Sequence, residues 1–347
     1  MMRLWSPAWR RRRQFRAALG RRPALPAVRS ARRLPAWTCL ASLLLATGTG
    51  AQAPNSYPSD SKPFADQEPI TPIPAPPAAD PQKLALGERL FGDTRLSGDG
   101  RLACSSCHDV QTNGAGNGKS SKNDAHDPSK HPFNTLTVFN AALSFRLNWQ
   151  GNFRALDAQL ESSLENPVNM RTSVDEVVGK LNADPEMVQQ FRAAYGNAPD
   201  RASLLDALTT FERSLITPGS RFDRWLGGDA SALSFDELSG YQLFKSLGCS
   251  SCHQGVNVGG NLFQRQGIFR PLAPKPEIVR VPSLRNVATT APYFHDGSEP
   301  NLGDAVRKMA AAQLDRTLSD QQVDNIVAFL RTLTGSYRGR PVAGALP

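Results

Sequence analysis

The chain has 347 residues, with 40 Lys and Arg against 31 Asp and Glu, a formal charge of +9. The surplus is confined to residues 1–53, which hold 11 Arg and no Lys, Asp or Glu. Without them 29 basic residues face 31 acidic ones, a net charge of −2, so the remainder lacks the basic footprint that a nucleic-acid partner requires.

Residues 1–53 read as a secretory signal peptide. An Arg-crowded start is followed by an apolar run from Ala36 to Ala46 and by small residues ending Gly50-Ala51-Gln52-Ala53. That run of about 11 residues is too short for a permanent membrane helix, so no integral membrane domain is expected. The expected location is the periplasm. Cleavage after Ala51 is favoured over cleavage after Ala53, which would leave Pro54 next to the cut. The basic region is long, and a start near Val28 would give a leader of ordinary length. A twin-arginine reading of Arg12-Arg13-Gln14-Phe15 is weak, because the apolar run does not follow closely.

The roughly 295 residues beyond the leader suit two domains. Residues 54–80 carry eight Pro and few large apolar side chains, which predicts an extended, mobile spacer. Structured sequence begins near Pro81, where Leu84, Leu86, Leu90 and Phe91 line a helix. Asp184-Pro185-Glu186 is a helix start with Pro at the first position, leading into Val188, Phe191 and Tyr195. Leu204, Leu205, Leu208, Phe211 and Leu215 recur at helical spacing. Ser234 caps a further helix, with Asp236 and Glu237 in its first turn and Leu238, Tyr241, Leu243 and Phe244 behind them. Ser319 with Gln322 forms a capping box ahead of Val323, Ile326, Val327, Leu330 and Leu333, and Gly335 stops that helix. No alternating run is long enough for a sizeable sheet. The predicted fold is mostly α with few or short strands, divided into domains 81–217 and 218–338 and a tail 339–347.

Two identical words carry the chemistry: Cys104-Ser105-Ser106-Cys107-His108 and Cys249-Ser250-Ser251-Cys252-His253, which start 145 positions apart. C-x-x-C-H is the attachment pattern of c-type haem. Its two thiols form thioethers to the porphyrin vinyls, and the adjacent imidazole becomes the proximal iron ligand. A redox dithiol needs only one pair and no following His. Two pairs could ligate zinc, but zinc does not call for a His after each. Two covalently bound haem c groups are therefore expected. Each word follows a helix containing G-x-x-L-F, at Gly87–Phe91 and Gly240–Phe244, which suggests a duplicated unit whose halves are otherwise dissimilar.

Beyond the leader, His126, His131 and His295 are the only His other than the two proximal ones, and Met170, Met187 and Met309 are the only Met. Met187 reads as core. Met309 follows the helical stretch Leu302–Lys308 and could return over the second iron as a thioether ligand, which would raise that haem's potential. Core packing is the alternative reading of the same residue.

The chain resembles the bacterial dihaem cytochrome c peroxidase family, which also includes the dihaem enzymes that mature methylamine dehydrogenase. The resemblance runs from about Leu84 to Gly335. It rests on Leu90-Phe91-Gly92-Asp93-Thr94-Arg95-Leu96-Ser97, Asn134-Thr135-Leu136-Thr137-Val138-Phe139-Asn140, Phe211-Glu212-Arg213-Ser214-Leu215 and Arg221-Phe222-Asp223-Arg224. It continues in Val281-Pro282-Ser283-Leu284-Arg285-Asn286-Val287 and Thr290-Ala291-Pro292-Tyr293-Phe294-His295-Asp296-Gly297.

The resemblance implies two cytochrome c-like haem domains packed across an interface. Met309 matches the distal Met of the C-terminal, high-potential haem. His126, eight positions before Asn134, matches the distal His of the N-terminal, peroxidatic haem, and His131 is its competitor. Trp149 matches a tryptophan between the haems, an electron conduit or an interdomain packing anchor. Asn134, Thr290 and Pro292 match the oxygen ligands of an interdomain calcium ion, a hard cation suited to such donors. The implied activity is reduction of hydrogen peroxide to water with electrons from a small cytochrome c or cupredoxin, in a homodimer.

One departure bears on that activity. The family has a Glu before the Met of Asn166-Pro167-Val168-Asn169-Met170, acting as acid/base at the peroxidatic haem, and here Asn169 stands in its place. The family's Trp-Asp-Gly-Arg likewise reads Trp149-Gln150-Gly151-Asn152. A carboxamide can orient peroxide but cannot take its proton, which predicts a slow peroxidase unless Glu165 or water substitutes. Gln159 is retained and can hydrogen-bond in the distal pocket. The rival readings are a dihaem enzyme that oxidises a partner protein, and an electron carrier or peroxide sensor without turnover. A Tyr replaces the distal Met in the methylamine dehydrogenase-maturing branch, so Met309 argues against that branch.

Overall fold

A computed structural model describes residues 67–116, 133–272 and 277–344. The architecture is mostly α, as the sequence predicts. In chain order the α-helices are α1 (Pro81–Phe91), α2 (Leu156–Glu165), α3 (Val174–Asn182), α4 (Pro185–Tyr195), α5 (Arg201–Ser214), α6 (Arg221–Leu226), α7 (Phe235–Ser246), α8 (Leu302–Leu314) and α9 (Asp320–Arg331). The strands among the described residues form two antiparallel pairs: β1 (Phe263–Arg265) with β2 (Ile278–Arg280), and β3 (Ser336–Tyr337) with β4 (Arg340–Pro341). Among the described residues no helix is long and apolar enough to cross a membrane.

The predicted helix signals act as local physics requires. Asp184 accepts from the amides of Glu186 and Met187 ahead of Pro185. Ser234 with Glu237, and Ser319 with Gln322, close reciprocal capping boxes that satisfy the first orphan amides of α7 and α9. The Leu204–Phe211 stripe of α5 packs with Leu86 and Leu90 of α1, while Tyr241 and Phe244 of α7 pack with Ile326, Phe329 and Leu330 of α9.

The G-x-x-L-F repeat marks the point where each pre-motif helix meets its partner. A Cβ on Gly87 would run into the Ala207 carbonyl of α5, and one on Gly240 into the Asn325 carbonyl of α9. Only glycine lets these backbones approach so closely.

The duplication extends further than the sequence words suggest. Asn140 and Asn286, 146 positions apart, are both buried and left-handed, each with φ of 60°. The turns 147–153 and 293–299 are each closed by a bridge, Leu147 to Phe153 and Tyr293 to Glu299. Each contains a left-handed residue followed by an aromatic ring, Asn148-Trp149 and Phe294-His295. Trp149 and His295 therefore occupy equivalent positions, and their rings meet edge-on at 6.5 Å. The halves are dissimilar in side chain but alike in backbone.

Thr217 sits where the halves join. Its hydroxyl accepts from Asn140 Nδ2 at 2.7 Å and from Asn286 Nδ2 at 3.0 Å, and its amide donates to Asn140 Oδ1 at 2.9 Å. Asn286 Oδ1 in turn accepts from the Gly335 amide.

Both ends of the described chain depart from the predicted organisation. Within the expected mobile spacer 54–80, residues 67–73 are bound to the second half. Ile70 is fully buried in that half's core, Pro69 O accepts from Gly255 N at 2.7 Å, and Thr71 O accepts from Arg285 Nη2 at 2.8 Å. The prolines prevent a helix, yet the extended backbone still lends its carbonyls and two isoleucines to a neighbouring surface. The expected tail 339–347 also packs, with Val342 buried among Phe91, Phe139 and Phe211 of the first half, and Arg338 just before it pairs with Glu88 at 2.7 Å. Each end of the described chain thus lies on the opposite half.

Replacing Thr217 with Val keeps its shape but removes the shared acceptor. Each stranded amide donor is expected to cost roughly 1–3 kcal/mol. Denaturant unfolding should show that loss in T217V and little in T217S; equal stability of T217V and wild type would contradict the shared role.

Candidate functional site: two C-x-x-C-H cavities

Each C-x-x-C-H word opens with one tight turn, Cys104–Ser106 or Cys249–Ser251, and the following His amide donates back to the first Cys carbonyl. This curl turns both thiols and the imidazole toward one cavity. Cys104, Cys107 and His108 line the first cavity, and Cys249, Cys252 and His253 line the second. The two pairs face different cavities and so do not converge on one four-sulfur site.

The imidazoles are prepared alike. His108 Nδ1 lies 3.2 Å from Gly114 O, and His253 Nδ1 lies 3.2 Å from Val258 O. Each carbonyl fixes the Nδ1–H tautomer and leaves Nε2 as the lone-pair donor. Burial pushes both imidazoles toward the neutral form, His253 down to about 4. Burial likewise keeps the first thiol of each pair protonated, with Cys104 pushed up to about 12 and Cys249 to about 11. Three buried polar atoms without a partner among the described residues border the cavities, Asn257 Oδ1 at the first and Gln266 Oε1 and Gln313 Oε1 at the second. A neutral imidazole with a free Nε2, two thiols on the same wall and apolar surroundings fit covalent haem at both places.

The cavities differ in the side chains that line them beside the imidazole. Met309 of α8 lines the second cavity with His253. Asn169 and Gln159 line the first cavity with His108, and Gln159 Nε2 donates to Ser163 Oγ at 2.9 Å. His126 and His131 lie outside the described residues. Trp149 borders both cavities and is 8% exposed, and its Nε1 donates to Asn134 O at 2.7 Å.

Glu165, the expected substitute for the missing family carboxylate, is exposed and does not line the first cavity. It closes α2 on the side facing solvent. The carboxyl that does line the cavity, alone among the described residues, is Glu212 of α5, which sequence reasoning quoted in a motif but gave no role. Its signal was present, since Glu212 follows Phe211 and lies four positions after Leu208 on the buried stripe. Burial pushes its carboxyl up from 4.5 to about 8, so it is held neutral. Arg280, also given no role, lines the same cavity from the second half.

Asn134, Thr290 and Pro292 all border the second cavity. Asn134 Nδ2 donates to Pro292 O at 2.6 Å, and Thr290 Oγ1 donates to Val287 O at 3.3 Å. Among the described residues no carboxylate lines that cavity beside these three oxygens. A calcium ion would need the Asn134 amide turned over to present its oxygen.

The fold and these paired sites define a c-type protein with two haem-binding halves. Comparison with known proteins agrees. A profile described as di-haem cytochrome c peroxidase matches residues 81–231, and one described as cytochrome c matches residues 238–334. The chain is 38% identical to a cytochrome c551 peroxidase of Nitrosomonas europaea, over 78% of this chain and 86% of that one. It is 37% identical to a cytochrome c551 peroxidase of Pseudomonas aeruginosa, over 85% and 91% of the two chains. A crystal structure of a MauG-like protein associated with microbial copper homeostasis superposes with a TM-score of 0.63 at 26% identity, covering 76% of this chain and 93% of that one. The chain belongs to the di-haem cytochrome c peroxidase family, and is an oxidoreductase of the peroxidase class with two haem c groups.

Glu212 has a measurable consequence. Its folded-state pKa of about 8 exceeds the unfolded value of 4.5, so the folded chain keeps a proton that the unfolded chain releases. The stability tied to that proton is complete below pH 4.5 and is lost as pH rises to about 8. Denaturation midpoints of wild type should fall across this window relative to those of E212Q; parallel pH profiles would mean that Glu212 ionises normally.

Proposed function

We propose that this protein is a periplasmic dihaem peroxidase that reduces hydrogen peroxide to water with electrons from a small cytochrome c or cupredoxin. The observation that carries the reading is the inequivalence of the cavities, a thioether sharing one with His253 and carboxamides sharing the other with His108. When bound, the two haems supply the redox chemistry, the second as electron entry and the first as the place where the peroxide O–O bond is cleaved.

The chain's own groups divide the work. Met309, which lines the second cavity with His253, would hold the second haem through its thioether and keep it closed to substrate. His126 would be the residue that holds the first haem on its substrate side and would have to give way to peroxide. Trp149, buried against both cavities, is the conduit between them. Asn169 and Gln159 orient peroxide through their amides. The proton then has to travel by water, because neither amide can accept it. With the Asn134 amide turned over, Asn134, Thr290 and the Pro292 carbonyl would offer oxygens to a calcium ion, which would stiffen the boundary between the halves. The Arg-rich leader supports export, which places the protein where covalent haem attachment occurs in bacteria.

The test is steady-state peroxide turnover by the half-reduced holoprotein. N169E is expected to raise kcat by roughly 10²–10⁴-fold, the usual contribution of a positioned acid/base. Asn169 itself favours the second reading, an electron carrier or peroxide sensor. Negligible turnover in wild type, N169A and N169E alike would select it.

The division of labour has its own check. Met309→His should lower the potential of the second haem while leaving the first unchanged, since thioether ligation holds a haem at higher potential than bis-imidazole ligation. A redox titration in which neither potential moves would remove Met309 from the iron.

A further inference from the structure

Arg280 is the one Lys or Arg on the wall of the first cavity among the described residues. It ends β2 in the second half, and its backbone amide crosses to donate to Trp149 O at 2.7 Å. The internal repeat explains the placement: Asn134, 146 positions earlier, donates its own amide to His295 O in the equivalent crossing. Each half thus pushes one residue over the other half's turn.

The side chain is 6% exposed, and its Nε donates to Asn148 O at 3.0 Å. Both of its acceptors are neutral carbonyls. Among the described residues no carboxylate acts on it, and burial alone pulls its guanidinium down to about 10. Glu212, the only carboxyl on that wall among the described residues, is held neutral by its own burial and is no counter-ion. Arg285, five residues further on and also buried, shows the usual arrangement. It pairs with Asp223 at 2.8 Å and donates to Val256 O and Thr71 O. A buried guanidinium without a counter-charge is costly, and its planar fork matches a carboxylate through two parallel hydrogen bonds.

We propose that Arg280 is the cross-domain counter-ion of a propionate carboxylate of the first haem, a positioning residue that the second half contributes to the first half's cofactor. The proposal rests on the two-haem reading above. It makes the first haem's electrostatics depend on the interface, because the compensating charge leaves whenever β2 moves away from Trp149. A positive charge at the porphyrin edge favours the reduced iron, so its removal lowers the potential of that haem alone.

The experiment uses the full holoprotein as wild type, R280Q and R280K, with haem content from the pyridine haemochrome spectrum and intact mass. Redox titrations then follow each haem. The expected result is two attached haems in R280Q, a negative shift confined to the first haem, and recovery of most of that shift in R280K. An unmoved first potential in R280Q with both haems attached overturns the proposal, as does an equal shift of both haems, which marks general loosening. If R280Q loses the first haem, R280K decides: restored attachment with a near-wild-type potential supports the counter-charge, and equal loss overturns it. A wild-type mass with fewer than two haems would instead sink the two-haem reading.

Discussion

The buried hydroxyl of Thr217, gripped by Asn140 on one side and Asn286 on the other, is the interaction on which the arrangement depends. Both asparagines hold left-handed backbone, which their short polar side chains tolerate better than most. Each starts a tight turn whose residues border one of the cavities, and one hydroxyl satisfies both amides where water has no access. The two cavities therefore share a wall, built from Asn134, Thr135, Leu136, Thr137, Trp149 and Ser283.

Symmetry of backbone with asymmetry of side chain is what makes a two-site redox protein from one repeated unit. Both halves use a glycine crossing before the motif, the same curl of Cys and His, and a carbonyl to set the imidazole tautomer. The differences lie where substrate and electrons are handled. Met309 lines one cavity and Asn169 with Gln159 the other, while Trp149 and His295 face each other as unlike occupants of equivalent turns. The crossed ends of the described chain tie the halves together, since Glu68 bonds Tyr241 and Lys245 on one side and Tyr337 packs on Phe139 on the other.

Legibility followed the range of the interaction. The capping boxes of α7 and α9 and the stripe of α5 are local, so they could be read directly from residue spacing. Glu212 was half-legible: helical periodicity puts it on the buried face, but only packing shows that this face borders a cavity rather than solid core. Arg280 was not legible, because in Ile278-Val279-Arg280 strand alternation places it on the face of Ile278, which is 67% exposed. The other half of the molecule buries one residue of that face and leaves its neighbour in solvent. The segment 67–73 failed for a related reason. Composition measures what a stretch can bury against itself, whereas Ile70 and Ile73 are buried by a surface supplied from elsewhere.

The sequence by itself determined the cofactor chemistry and the helical class. Cysteine, histidine and apolar periodicity act over five to fifteen residues, within reach of inspection. The tertiary structure decided which distant residues share a cavity, that Glu165 faces away and Glu212 faces in, and that both ends of the described chain cross between halves. Those outcomes depend on how two folded surfaces exclude water from each other, a property of the assembled shape that no short stretch of chain contains.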